Sequence, residues 1–321
     1  MYRYIIKRLL LMIPVIIGVS FLIFVIMDMA PGDAVDLLAP EGATAEDLDV
    51  IRHELGLDQP VIVRYVKYMG GMLHGDLGIS YVSKTDVFQT YIQKLPATIT
   101  LSFASILVSV LLSVPLGIYA ATRHGSVQDN ISMFLAMIGL SMPNFWLGLL
   151  LIIAFSLKLG WFPSGGDQTL SSLVLPAITI GTGLMATLTR TTRSSMLDVL
   201  KQEYLRTARA KGVPEKIVVT SHALRNALIP IITIIGTQLA GVLGGSVLTE
   251  TVFAWPGVGR LIVDSLNMRD TPLVTGSIIM TTILLSIILL LVDLLYAAVD
   301  PRIKAQYIAK KGRKKNGKKN R

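Results

Sequence analysis

The chain has 321 residues, 52% hydrophobic and only 16% charged, where a soluble domain carries about a quarter charged residues. It has no cysteine, which excludes disulfides, thiol catalysis and cysteine-ligated metal, and its four histidines (His53, His74, His124, His222) have no spacing that puts two on one helix face, so neither a metal site nor a catalytic residue is expected. The formal net charge of +9 is distributed as membrane topology rather than as a soluble basic domain, which argues against nucleic-acid binding.

Six uncharged windows are long enough for a hydrocarbon core, which takes roughly 20 residues. They are Leu9–Met27, Ala97–Thr122, Ile131–Leu157, Thr169–Thr189, Ala227–Thr249 and Thr271–Val292. The prediction is an all-α polytopic membrane protein with six transmembrane helices. Its parts are 1–27 (N-terminal end and first span), 28–96 (an external helical segment), 97–299 (spans two to six, with a cytoplasmic loop at 190–226) and 300–321 (a basic tail).

The first window holds fourteen Leu, Ile, Val or Phe residues, worth about −4 to −8 kcal/mol on the insertion scale. Arg3, Lys7 and Arg8 ahead of it imitate a secretory signal, but the apolar run is long for one and no small-x-small cleavage site follows, so a retained helix is expected. Ala30-Pro31-Gly32-Asp33 ends it. In the external segment Thr44 caps a helix over about 45–55, with Asp47 in its first turn and Gly56 at its end. Asp58 and Pro60 open a second helix with an apolar stripe of Ile62, Tyr65, Val66, Met69 and Leu73. Gly75-Asp76-Leu77-Gly78 closes that one, and Val87, Phe88, Tyr91, Ile92 and Leu95 form a third stripe. The segment reads as a helical cap on the bundle, compatible with a docking surface for an external partner.

Ser141, Pro143 and Asn144 interrupt the third window, and Thr179, Thr182 and Thr187 make the fourth polar. Ser141, Asn144, Thr179 and Thr182 are the candidates for lining a translocation path, with helix packing as the alternative role. The fourth window holds only eight Leu, Ile or Val residues among Pro176, Gly181 and Gly183, so neighbouring helices rather than lipid are expected to hold it. After it, Glu203 to Lys211 has helix formers throughout, Gly212 takes the left-handed stop, and Pro214 opens a second helix toward Leu228-Ile229-Pro230. An amphipathic loop at the headgroups accounts for the same periodicity. Glu250 with Trp255, Pro256 and Gly257 forms an outer lip between the last two spans, either a tight turn or a gate.

Charge sets the orientation. Residues 1–8 carry three basic and no acidic side chains, the 190–226 loop carries eight basic against three acidic, and the tail from Asp300 carries ten against one. The opposite connections hold Lys158, Arg260 and Arg269 against Asp167, Glu250, Asp264 and Asp270. By the positive-inside bias both termini are cytoplasmic. The tail from Lys310 is Lys, Arg, Gly and Asn only, and is suited to hover over anionic lipid.

The stretch Tyr204–Pro230, YLRTARAKGVPEKIVVTSHALRNALIP, resembles the cytoplasmic loop of binding-protein-dependent ABC importer permeases, specifically the dipeptide, oligopeptide, glutathione and nickel branch. Matches in order run through Tyr4-Ile5-Ile6-Lys7-Arg8-Leu9-Leu10, Ala30-Pro31-Gly32-Asp33, Leu55-Gly56-Leu57-Asp58-Gln59-Pro60, Gly75-Asp76-Leu77-Gly78-Ile79-Ser80, Phe253-Ala254-Trp255-Pro256-Gly257-Val258-Gly259-Arg260 and Asp300-Pro301-Arg302. One departure stands out. Aligned on Gly212, Arg206 and Thr207 occupy the places of the glutamate and first alanine of the wider family loop.

The resemblance implies a MetI-like bundle in a bacterial inner membrane. It implies that Tyr204, Leu205, Arg206, Thr207, Ala208, Arg209, Ala210, Lys211, Gly212 and Val213 seat in an ATP-binding subunit. It also implies a second homologous permease, two ATPases, an external solute-binding protein and a peptide substrate, with nickel chelates or glutathione as alternatives. The chain has no Gly-rich phosphate loop followed by Lys-Ser/Thr, so ATP and magnesium are expected on the partner subunits and no cofactor on this one. A secondary transporter driven by an ion gradient is the competing class; it calls for paired intramembrane acids, and Asp293 is the one acid near a span end.

Overall fold

The computed structural model describes residues 2–29, 35, 38–39 and 43–299. The expectations for Ala30-Pro31-Gly32-Asp33 and for the tail from Asp300 lie outside those residues. Regular structure among the described residues is helical, apart from one isolated antiparallel bridge between Ile79 and Asp86. Among the described residues five helices are long and apolar enough to cross a membrane: Arg8–Met29, Val87–Thr122, Leu170–Leu200, Glu215–Gly245 and Thr271–Leu294.

The third predicted window is not one helix. It divides into Val127–Ser141, of 15 residues, and a helix beginning at Asn144 that turns π-helical over Ile152–Lys158. At roughly 1.5 Å per residue the first part reaches about 22 Å, short of the ~30 Å hydrocarbon core. The cause is Pro143, which pushes Met142 into extended backbone (φ −99, ψ 130). Counted as one broken span, the pair brings the total to six.

The chain forms two compact units, one of Met1–Ala104, Asn144–Pro176 and Val242–Ser286, the other of Ser105–Pro143, Ala177–Gly241 and Ile287–Arg321. In the first unit, Thr44 and Asp47 make a reciprocal cap: Thr44 N donates to Asp47 Oδ2 at 2.9 Å and Asp47 N to Thr44 Oγ1 at 3.3 Å. The Thr44 N–H is the main cause holding the Asp47 carboxyl below its usual range. The helix runs Ala45–Glu54 and ends where Gly56 turns left-handed at φ +65.

The next helix, Val61–Leu73, follows Pro60 and fastens to the first span. Its Tyr65 ring meets Phe21 and Phe24 edge-on at 5.3 and 5.7 Å, and its hydroxyl donates to the Ile17 carbonyl at 3.1 Å. Arg64 pairs with Asp28 at 2.6 Å. Beyond it Gly75 (φ +85) and Gly78 (φ +87) make the turn that delivers Ser80 to Asp270. Ser80 Oγ donates to Asp270 Oδ2 and Tyr81 N to Oδ1 at 3.1 Å, so a buried carboxylate at the head of the last helix pins the external segment. Leu77, Val87 and Leu273 close the apolar space beneath, with Tyr68 and Met72 packed against them.

The third external stripe is continuous with the second span. Val87, Phe88, Tyr91, Ile92 and Leu95 open a single 36-residue helix, Val87–Thr122, unbroken through Pro96.

The second unit is built around Leu188, Met196, Val218, Ala223, Ala227 and Ile231, all buried. Its fourth-span helix bears out the expectation of close protein contact. Gly181 lies so near the Ser105 carbonyl and Val108 that an added Cβ would come within 2.9 Å of both. Gly117 sits against Thr192, Gly139 against the Thr182 carbonyl, and Ser113 Oγ donates to the Met185 carbonyl at 3.3 Å. Small residues let these backbones approach. In Leu170–Leu200, 61% of the most apolar stretch is buried within the protein, against 11% in Arg8–Met29.

Candidate coupling elbow and outer corner

The loop after the fourth span folds as the helix Glu203–Ala210, capped at Lys211 and reversed by Gly212 at φ +79. Pro214 then starts Glu215–Ile217, which passes through a π-helical turn at Val218–Ala223 into Leu224–Gly245. Leu205 is fully buried in the apolar cluster with Met196 and Val218, and Ala208 and Val213 pack at its edge. Burying one leucine is worth about 1.5–3 kcal/mol, enough to fix a two-turn helix whose remaining face is water-exposed. That face carries Glu203, Arg206, Thr207, Ala210 and Lys211.

Two further ties set the elbow's angle. Arg209 grips Glu215 with Nε and Nη2 at 3.0 and 2.8 Å, an exposed pair worth about 0.2–1 kcal/mol. Asn226 Nδ2 donates to the Tyr204 hydroxyl at 2.7 Å and to the His222 carbonyl at 3.2 Å, beside the π-helical turn. The predicted docking residues 204–213 thus divide. Leu205, Ala208 and Val213 anchor, while Arg206, Thr207, Ala210 and Lys211 face outward. Arg209 braces.

A second brace in the same unit went unread in the sequence. Arg193 donates through Nε and Nη2 to both carboxylate oxygens of Asp129, at 2.7 and 2.6 Å, and Gly125 N adds a third bond at 3.0 Å. Asp129 is nearly fully buried. Ser126 capping the amide of Asp129 was a legible helix start; the partner, 64 residues on, was not.

In the first unit the connection between Leu224–Gly245 and Thr271–Val299 is a polar corner. Glu250 is fully buried, and its Oε1 accepts from Thr98 Oγ1 at 2.9 Å and Ser246 Oγ at 2.8 Å, while Oε2 accepts from the Arg260 N–H at 3.0 Å. Thr98 Oγ1 in turn accepts from Val258 N at 2.8 Å. Trp255 Nε1 donates to the Ala97 carbonyl at 2.9 Å. Ala254 takes a left-handed φ of +48, with its carbonyl held by Arg260 Nη1 at 2.6 Å. Gly257 abuts the Glu250 carboxylate with no room for a Cβ. The structure therefore gathers Glu250, Trp255 and Gly257 into one network with Thr98 as its hub, and Pro256 shapes the turn between them.

The proposed path residues sit as follows. Thr179 is buried, and Thr182 returns its hydroxyl to the Ile178 and Thr179 carbonyls. Ser141 is exposed and bonds back to the Met137 carbonyl at 3.1 Å. Asn144 is exposed at the start of its helix. Among the described residues no group of three His, Asp or Glu side chains is placed to hold a metal.

Among the described residues, long apolar helices and a short basic elbow anchored by Leu205 are the features that comparison with known proteins has to match. Residues 113–305 match the binding-protein-dependent transport system inner membrane component family, and residues 1–102 match the N-terminal part described for that membrane component, so the chain belongs to this family. It is the permease subunit of an ABC importer, a membership that implies an ATPase and a solute-binding protein as partners. It is similar to the oligopeptide transport system permease protein AppB of Bacillus subtilis (strain 168), 44% identical over 314 residues, or 94% of this chain and 99% of the relative. It is likewise similar to the glutathione transport system permease protein GsiC of Escherichia coli (strain K12), 42% identical over 304 residues, 95% of this chain and 99% of that one. Among solved structures, a chain of the MetNI methionine ABC transporter in an inward-facing conformation matches with a TM-score of 0.57 at 19% identity, covering 66% of this chain and 97% of that one, a likeness of fold.

Proposed function

We propose that the chain translocates di- or oligopeptides handed over by an external solute-binding protein, paired with a second homologous permease and driven by two ATP-binding subunits that hold ATP and magnesium. The subunit itself is non-catalytic, and both its termini are cytoplasmic. The reading of the substrate is supported by the similarity to an oligopeptide permease. The glutathione permease favours a second reading of the same chemical class, since glutathione is itself a tripeptide.

The observation that carries the mechanism is the elbow. Leu205 transmits displacement of Glu203–Ala210 to the core that holds Met196 and Ile231, on the helices before and after it. An ATPase pair that grips the outward face more tightly in one bundle state than in another shifts the population between them, which is the thermodynamic requirement for alternating access. The candidate path residues Ser141, Asn144, Thr179 and Thr182, and an outer gate at Glu250, Trp255, Pro256 and Gly257, belong to this proposal.

Because the chain has no cysteine, Ala210→Cys or Thr207→Cys creates a single thiol on the exposed face. Both positions are better placed than Ala208, which packs on the core, or Gly212, which needs its left-handed backbone. A short crosslinker in native membranes is expected to capture the ATPase from either thiol. Absence of capture from both, in membranes that import peptide on ATP, overturns the coupling role. Peptide uptake by the chain alone, driven by an imposed proton gradient in liposomes, would instead establish the secondary-transporter class. Uptake of a dipeptide against glutathione in a complemented deletion strain decides the substrate.

A further inference from the structure

The helix Val61–Leu73 packs one side on the first span and leaves another bare. Tyr65, Tyr68 and Met69 are held by Ser20 and Phe24, while Ile62, Val66 and Leu73 are exposed, Leu73 by 80%. Those three recur at i, i+4 and i+11, a single stripe at helical spacing. The charged side chains lie on other faces. Arg64 pairs with Asp28 and stands 5.6 Å over the Phe24 ring, and Lys67 donates to Gln59 at 2.7 Å. The preceding helix is its opposite: Ala45–Glu54 exposes Glu46, Asp47, Asp49 and Glu54, a surface suited to water.

The contacts of Val61–Leu73 fix its level. The first span is 22 residues long, or about 33 Å, close to the ~30 Å of a hydrocarbon core. Ser20 Oγ lies 3.6 Å from Met69 Sδ and 2.9 Å from the Tyr65 hydroxyl. It stands nine residues inside the Met29 end of that span, roughly 13 Å down. The last span gives a second measure. A Cβ added to Gly276, five residues inside Thr271 and roughly 7 Å down, would lie 3.5 Å from Tyr68 Oη. Two different spans thus set the helix below their own ends and within one leaflet, whose share of the core is about 15 Å. At the same level the first span exposes Leu22 and Ile26, so the bare stripe continues an apolar surface that already belongs to lipid. A helix with wide apolar faces and its charges gathered to one side suits that position.

We propose that Val61–Leu73 is embedded in the leaflet at the Met29 and Thr271 ends of the spans, the outer one in the orientation given above. Ile62, Val66 and Leu73 lie against lipid acyl chains. The external segment is then part membrane-embedded and part water-exposed, rather than a cap standing clear of the bilayer. The inference needs only that the spans cross the membrane; it depends neither on the solute nor on the elbow.

The test uses the full chain in the assembled importer, in bilayers of phosphatidylethanolamine and phosphatidylglycerol, with partner subunits made free of cysteine. Since this chain has none, Val66→Cys and Leu73→Cys each carry a single nitroxide. ATP-driven uptake certifies each labelled complex, and Ile62→Cys replaces either variant that does not assemble. Power saturation compares molecular oxygen, which concentrates in acyl chains, with a water-soluble nickel chelate. Leu22→Cys serves as the lipid reference and Glu46→Cys as the water reference. Oxygen is expected to outweigh the chelate at both stripe positions, as at Leu22, with the order reversed at Glu46. A preference for the chelate at either stripe position puts the stripe in water, and exclusion of both reagents puts it under a partner protein. Each of those results overturns the proposal and leaves the function proposed above intact.

Discussion

The elbow and the outer corner are both short connections between membrane helices, yet they invert each other. In the elbow one apolar side chain, Leu205, goes in and the charges face out. In the corner the polar groups go in: Glu250 is buried with every bond it makes directed at protein, one of them across 152 residues to Thr98. An apolar plug tolerates sliding, because dispersion is non-directional. A buried carboxylate with three donors fixed in space does not, since displacement leaves polar groups unmatched. The two connections therefore differ in what a small displacement would cost them.

Four substitutions press on that contrast. Glu250→Ala strands the Thr98 and Ser246 hydroxyls and the Arg260 amide, and is expected to destabilise by upwards of about 4 kcal/mol, read as lost thermal stability in nanodiscs, with Glu250→Gln retaining more of it than alanine. Leu205→Ala is expected to cost about 3 kcal/mol and to loosen the elbow, seen as faster amide exchange over 203–211 and as ATP hydrolysis no longer matched to uptake. Gly257→Ala drives a methyl into the Glu250 carboxylate and the Thr98 hydroxyl, for about 2 kcal/mol; Gly241→Ala, which meets no neighbour within 4 Å, is its control. Arg206→Ala, on the outward face, is expected to change stability by less than about 0.5 kcal/mol while weakening ATPase capture. A large stability loss from Arg206→Ala, or none from Glu250→Ala, would erase the distinction between the two connections.

Much of this was readable where the cause is local. The Thr44 cap, the stop at Gly56, the reversal at Gly212 and the start after Pro214 each depend on residues within four positions, and each stands where the sequence placed it. The Trp-Pro-Gly turn was legible as a turn, but its hub was not: nothing near Thr98 marks it as the partner of Glu250. Asp129 with Arg193, and Ser80 with Asp270, were hidden for the same reason, being pairings across 64 and 190 residues. The third window breaks at Ser141, Pro143 and Asn144, where the sequence interrupts it; what apolar composition does not carry is the change of backbone direction at Met142 that Pro143 imposes. The Val87 stripe and the second window prove to be one helix, since Pro96 sits within a helix that carries on.

The fourth-span helix has a consequence for how the polypeptide is made. Its glycines and carbonyls dock on Ser105, Val108, Gly117 and Gly139, all synthesised before it. When this weakly greasy segment leaves the ribosome, the surface that welcomes it already waits in the bilayer. Its entry is therefore an act of assembly more than of partitioning, and a nascent chain stripped of its second span would leave it stranded at the translocon.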